Sequence, residues 1–274
     1  MDPAAKLLLL HVLAASAILT PNTARGAAGA SCMPHERDAL LAFKRGISSD
    51  PMHLLASWRK DGEADCCRWR GVRCSNRNGH VLKLQLGNVH ASDLYQLTNT
   101  ALVGQISHSL LSLDHLVHLD LSMNYLNGSS SSHIPEFLSS MVNLRYLNLS
   151  GIPFSGRVPP HLGNLSKLQC LDLSEGQFLY SDNISWLASL PVLQYLSMSM
   201  IDLSTIVDWP DVVNMIPSLN VLSLRSCALL RANRSLSRIN HTNLESLDLS
   251  GNNFSHPMAS SWFWNLTRLQ YPLP

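Results

Sequence analysis

The chain has 274 residues, a formal net charge of +1 and 46% hydrophobic residues. That apolar content suffices for a core running along one elongated domain, and the near-neutral balance excludes the concentrated basic surface that nucleic acid requires. No run of like charges marks a polyelectrolyte tail either.

From the N-terminus, Lys6 precedes a mostly apolar run, Leu7 to Leu19, followed by small residues at Ala27, Ala28, Gly29 and Ala30. The run is too short to span a bilayer and Ala28-Gly29-Ala30 has the pattern of a cleavage site. Residues 1–30 are therefore predicted to be a secretory signal peptide, and the mature chain to be extracellular without a transmembrane segment. Export sets the reading of the cysteines. Cys32, Cys66, Cys67 and Cys74 fall close together, which in an oxidising compartment predicts a local disulfide framework. Adjacent Cys66 and Cys67 are poorly placed to bridge each other, and two pairings remain. A zinc site would want Cys-x-x-Cys pairs or a His-x-x-x-His, which the pattern lacks. Between the cysteines a helix is expected: Pro34 suits its first turn, Glu36 and Asp38 complement the positive end of its dipole, and Leu40, Phe43 and Ile47 share a face. Ser48-Ser49-Asp50-Pro51 stops it. Residues 31–80 thus read as a disulfide-bonded cap.

His80-Val81-Leu82-Lys83-Leu84-Gln85-Leu86 reads as a first strand, and Asn88 to Thr100 as an inserted polar loop. From there one unit recurs. Its clearest copy runs Leu144-x-x-Leu147-x-Leu149, Phe154, Gly156, Val158-Pro159, Leu162, Leu165, and restarts at Leu168-x-x-Leu171-x-Leu173. The strand anchors Leu84, Leu119, Leu147, Leu171, Leu196, Leu222 and Leu247 are separated by 35, 28, 24, 25, 26 and 25 residues, the period of a leucine-rich-repeat array. Alternating leucines enter a core, the residues between them face outward, and stability comes from stacking neighbours. The expected fold is an α/β repeat: a right-handed leucine-rich-repeat solenoid with short parallel strands on its concave face, capped by the N-terminal helix. Repeats are expected over 81–271, about seven and part of an eighth. Pro272 and Pro274 stand where the next strand leucines are due, so 272–274 is expected to be irregular, because proline cannot join a ladder interior.

Several stretches resemble plant leucine-rich-repeat receptors: Asp-Ala-Leu-Leu-Ala-Phe-Lys at 38–44, Ser57-Trp58, and Cys67-Arg-Trp69-Arg-Gly71-Val72-Arg-Cys74, followed by Leu102-x-Gly104-x-Ile106, Ile134-Pro135, and Phe154-Ser155-Gly156-Arg157-Val158-Pro159. The resemblance implies the pairing Cys32–Cys66 with Cys67–Cys74, and a second short sheet formed by the L-x-G-x-I-P segments. The interval from Asp182 through Trp186, Asp208-Trp209 and Asn214-Met215-Ile216-Pro217 is similar to the middle repeats of receptor-like proteins of the fungal-elicitor and disease-resistance class. Against that class the chain looks like the N-terminal part of the ectodomain, ending before the cysteine-bearing C-terminal cap, acidic stretch and membrane anchor. The resemblance implies a recognition module without catalysis, acting in plant defence or development. Its partners would be an extracellular peptide, protein or glycan ligand and a co-receptor kinase ectodomain. The alternatives are a secreted inhibitor of a microbial cell-wall hydrolase, like polygalacturonase-inhibiting proteins, and a soluble decoy.

One departure from the family is visible. Three residues beyond the second leucine, where the family prefers Asn, stand Asn124, Ile152, Gly176, Ile201, Cys227 and Asn252. Two positions further, Leu126, Phe154, Phe178, Leu203, Leu229 and Phe254 predict an unbroken apolar stripe.

Eight N-x-S/T sequons, at Asn127, Asn148, Asn164, Asn183, Asn233, Asn240, Asn253 and Asn265, are candidate glycosylation sites. Asn148 lies between two strand leucines, where a glycan would block the concave face. On that face Tyr146, Tyr195, Arg225 and Asp172 are the candidate ligand-binding residues, the first three being side chains that suit interface hot spots. Cys170 flanks a strand leucine as an exposed thiol in this reading and Cys227 as a buried small hydrophobe; no bridge between them is expected. His115 and His118 alone make a poor metal site. No G-x-S-x-G, H-E-x-x-H or phosphate-cradling loop is present, and no cofactor, metal or catalytic residue is assigned.

Overall fold

The computed structural model describes residues 31–60, 65–90, 99–128, 132–176, 178–230, 240 and 243–254. The signal peptide, most of the 88–100 loop, Asn233, Asn265, Pro272 and Pro274 lie outside them. The N-terminal helix α1 (Pro34–Arg45) is followed by β1 (Ile47–Ser49) and, past a one-turn 3₁₀ segment, by β2 (Val72–Cys74). Then come β3 (Val81–Gln85), β4 (Val103–Gly104), β5 (His118–Asp120), β6 (Tyr146–Asn148), β7 (Ser155–Arg157) and β8 (Cys170–Asp172). The rest are β9 (Phe178–Tyr180), β10 (Tyr195–Ser197), α2 (Trp209–Asn214), β11 (Val221–Ser223) and β12 (Ser246–Asp248).

Eight strands form the main sheet, in the order β12-β11-β10-β8-β6-β5-β3-β2. The β2–β3 pair is antiparallel and every other pair is parallel. The anchors Leu84, Leu119, Leu147, Leu171, Leu196, Leu222 and Leu247 pair with one another in unbroken register. Register is this strict because a one-residue slip would turn a whole strand's leucines out of the core. Short 3₁₀ segments, His108–Ser112, Glu136–Ser140, Pro160–Asn164 and Ser185–Ser189, return the chain on the opposite side, and Leu110, Leu138, Leu162 and Leu187 bury inward from them. A fully buried leucine contributes about 1.5–3 kcal/mol relative to exposure, and the repeats share one continuous cluster of such residues. On the flank, β7 pairs parallel with β9, and β4 pairs antiparallel with β1 of the cap.

In the cap, disulfides join Cys32 to Cys66 and Cys67 to Cys74. Trp58 and Trp69 stack with centroids 5.5 Å apart, and Phe43 lies against Trp58. Two expectations need correction here, and a third residue does more than expected. Ile47 is in β1, not on the helix, because Gly46 ends α1 and β1 pairs with the Gly104 segment. Glu36 lies in the first turn of α1, as expected. It is fully buried and accepts the Val81 amide at 2.8 Å, tying the cap to the first strand. The apolar stripe also breaks at Phe178, which is 66% exposed while Leu179 enters the core. A side chain at Gly176 would meet Leu179 at 2.9 Å and Ile201 at 3.1 Å, so the small residue makes the space that draws in Leu179 rather than Phe178.

Candidate functional site

Strand pairing arranges the outward residues of the sheet in rows that cross the strands, successive members of a row lying about 4.8 Å apart. One row runs Lys83, His118, Tyr146, Cys170, Tyr195, Val221, Ser246, and the next Gln85, Asp120, Asn148, Asp172, Ser197, Ser223, Asp248. Tyr146, Cys170, Tyr195 and Val221 form an apolar cluster separate from the main core, and the His118 imidazole stacks on the Tyr146 ring at 4.0 Å and 9°. The structure therefore brings Tyr146, Tyr195 and Asp172 together, but not as solvated side chains: each is buried. The reason is lateral packing. In-register side chains on adjacent parallel strands lie against one another, and aromatic rings cover the shorter groups beside them. Arg225 is exposed and sits further along its strand turn, outside this cluster.

The second row is built from a repeated Asx-type closure. Oδ1 of Asp120, Asn148, Asp172 and Asp248 accepts both the backbone N–H and the hydroxyl of the serine two residues on, with hydroxyl distances of 2.7, 2.8, 2.6 and 2.6 Å. One side-chain oxygen thus closes each strand end. Asp172 Oδ2 is buried without a partner, as is His118 Nε2. Burial pushes the Asp172 carboxyl up to about 6, against the Ser174 hydrogen bonds that favour its ionised form. Asp120 is raised for the same reason. Burial, with Lys83 nearby, lowers His118 to about 4, so its ring is neutral near pH 7. Chemically, the rows offer an aromatic shelf beside hydrogen-bond acceptors that a cationic or hydroxyl-rich group would satisfy.

Cys170 is a correction to the sequence expectation. It is buried, and burial together with Asp172 and Asp120 raises its thiol well above the ordinary value, so it is not poised as a thiolate. Cys227 is buried with its thiol pushed up to about 12. It also does something the sequence reading missed: its Sγ donates to the Met198 carbonyl at 3.2 Å. Asn124 and Asn252 use their amides in the same way, donating to the carbonyls of Leu86 and Leu224 in the preceding repeat at 2.8 and 2.7 Å. The thiol is a weak substitute for the ladder amide.

Among the described sequons, Asn164, Asn183, Asn240 and Asn253 are exposed and Asn127 is half-buried. Asn148 is buried, with its amide nitrogen 3.4 Å from the Tyr146 hydroxyl. A glycan on Asn148 would have to displace the aromatic row. The histidine pair is also rearranged: His118 stacks on Tyr146, whereas His115 stacks on His80 at 3.8 Å.

Comparison with known proteins agrees with this architecture. The Leucine rich repeat N-terminal domain matches residues 33–75, and the Leucine Rich Repeat matches residues 115–141, 143–165 and 243–266. Receptor-like protein EIX1 of Solanum lycopersicum is 37% identical over 241 residues, covering 86% of this chain and 23% of the relative. Receptor-like protein 50 of Arabidopsis thaliana is 39% identical over 162 residues, covering 56% of this chain and 16% of the relative. The chain thus spans no more than about a quarter of the length of these relatives. Among solved structures, the ectodomain of the Arabidopsis receptor kinase HAESA, in complex with an IDA peptide hormone, superposes with a TM-score of 0.61 at 27% identity, over 85% of this chain and 40% of that one. The plant peptide hormone receptor RGFR1, in complex with RGF2, gives 0.59 at 26% identity, over 76% and 29%. Among the described residues no helix is long and apolar enough to cross a membrane. With the cap motif, the repeat register and these relatives in agreement, the chain belongs to the plant leucine-rich-repeat receptor-like proteins.

Proposed function

We propose that this chain is the N-terminal recognition portion of an extracellular receptor-like protein of plant defence, which binds a peptide, protein or glycan ligand on the outward face of its parallel sheet and carries out no catalysis. The observation that carries the reading is the continuous row His118, Tyr146, Cys170, Tyr195, Val221 beside a second row that holds the carboxyl groups of Asp120, Asp172 and Asp248. Aromatic residues supply most of the energy at interface hot spots, and the acceptor row fixes orientation and selects donors. The similarity to receptor-like protein EIX1 supports a defence role, and the likeness to ectodomains solved with peptide hormones supports ligand capture along the repeats. A co-receptor kinase ectodomain would complete signalling.

The test is to probe arrays of secreted plant and microbial peptides, proteins and oligosaccharides with the secreted chain and with Tyr195→Ala, Arg225→Ala and Val142→Ala variants. Val142 is exposed and lies outside the sheet. The reading expects a ligand whose affinity falls at least tenfold in Tyr195→Ala, in keeping with a hot-spot aromatic, and is unchanged in Val142→Ala. A ligand retained by Tyr195→Ala and Arg225→Ala alike would contradict it.

A further inference from the structure

We infer that the seam between the cap and the first two repeats is a binding site for a borderline transition-metal dication, Zn²⁺ or Ni²⁺ in chemical class. Three side chains with ligand-type atoms converge there from separate segments: Glu36 from α1, His80 at the entrance to β3, and His115 at the entrance to β5. Their ligand atoms all lie within 4.8 Å of one another.

The hydrogen bonds decide which atom does what. Glu36 is fully buried, its Oε2 accepts the Val81 amide at 2.8 Å, and its Oε1 lies 3.1 Å from His80 Nδ1. A carboxylate can only accept, so the proton of this contact sits on His80 Nδ1, and the lone pair of the neutral ring is on Nε2. This is the arrangement in which a buried carboxylate orients a metal-binding histidine and raises its basicity. Glu36 is therefore a positioning group and His80 Nε2 a ligand. The His115 ring stacks against His80 with centroids 3.8 Å apart and 21° between planes. His115 is exposed and can rotate from the stack to bring its nitrogen to the roughly 2.0–2.1 Å that zinc requires. His35, also exposed, has its ring 6.5 Å from His80 and supplies a third imidazole from the same helix end. Imidazole donors favour zinc, nickel and copper over magnesium or calcium. Bound metal would cross-link the cap to two repeats, which neither disulfide does, since both close within the cap.

The experiment uses the secreted, disulfide-bonded chain, freed of metal by a chelator and titrated with ZnCl₂ in a calorimeter, with thermal unfolding followed with and without metal. The inference expects one site per chain, a rise in unfolding temperature on adding zinc, and an affinity at least tenfold lower in His115→Ala with the metal-free unfolding temperature unchanged. Glu36→Gln, read where it remains folded, weakens binding by about 10–100-fold as a lost orienting partner. Zinc binding that is absent, or the same in His115→Ala, would overturn it. So would sulfur-to-metal charge-transfer bands with Co²⁺, which would assign the metal to Cys170 or Cys227.

Discussion

Two residues past the second core position of the six repeats anchored from Leu119 to Leu247, Met123, Gly151, Glu175, Met200, Ser226 and Gly251 all adopt a φ between 53° and 71°. Only glycine does so without the roughly 1–2 kcal/mol penalty of the left-handed region. Glu175→Gly is therefore expected to stabilise the chain by about 0.5–1 kcal/mol after its own entropy cost, read as a shift in a denaturant midpoint. Gly151→Ala is expected to destabilise it by about 1 kcal/mol or more, since the new Cβ also meets Met123 Sδ. The same scale holds the pH dependence. The folded carboxyl of Asp172 is raised from its ordinary value to about 6, so the unfolded chain binds fewer protons between about pH 4 and 6, and stability from this group falls as pH rises through that window. His118 works the other way. Its pKa is lowered to about 4, so its contribution rises with pH between about 4 and 6.5, and the two slopes oppose one another. Asp172→Asn keeps an oxygen for Ser174, as Asn148 does for Ser150, and removes one slope. The variant is expected to gain on the order of 1–3 kcal/mol over the parent as pH rises from about 4 to 6, measured by chemical unfolding at each pH. A constant difference across that range would contradict the assignment.

At the scale of elements, the cap and the ladder carry the contrast between what sequence pattern reveals and what it hides. The strand leucines were legible because a period of about 25 residues with Leu-x-Leu cores constrains both spacing and face. Disulfide pairing was not legible from spacing; the family motif implied it. The burial of Glu36 was hidden because a first-turn glutamate looks the same whether it meets water or a strand amide 45 residues away. Phe178 was misplaced because the stripe was counted at a fixed offset, whereas space beside Gly176 lets the chain present Leu179 instead. The buried aromatic row was half legible: the positions were named, but their mutual covering depends on in-register neighbours from other repeats. Two outcomes belong at this scale. Cys67→Ser with Cys74→Ser opens a small cap loop and is expected to cost about 2–5 kcal/mol, seen as a lower unfolding temperature. Asn124→Ala strands the Leu86 carbonyl and the Leu102 amide, to which Asn124 donates and from which it accepts at 2.8 Å. It is expected to cost about 1–3 kcal/mol.

For the molecule as a whole, stability is a sum over repeats and their interfaces, while the proposed recognition surface is one that no single repeat makes. The outward rows exist only because seven parallel strands hold one register, and the aromatic shelf spans four of them. The most direct measurement of the central claim is therefore spatial. A photo-crosslinking phenylalanine analogue is placed at Tyr195 on the sheet, or at Val142 outside it, and the secreted chain is irradiated with the ligand found by the arrays. The account predicts a ligand adduct from position 195 and none from position 142; an adduct from position 142 with none from 195 would contradict it.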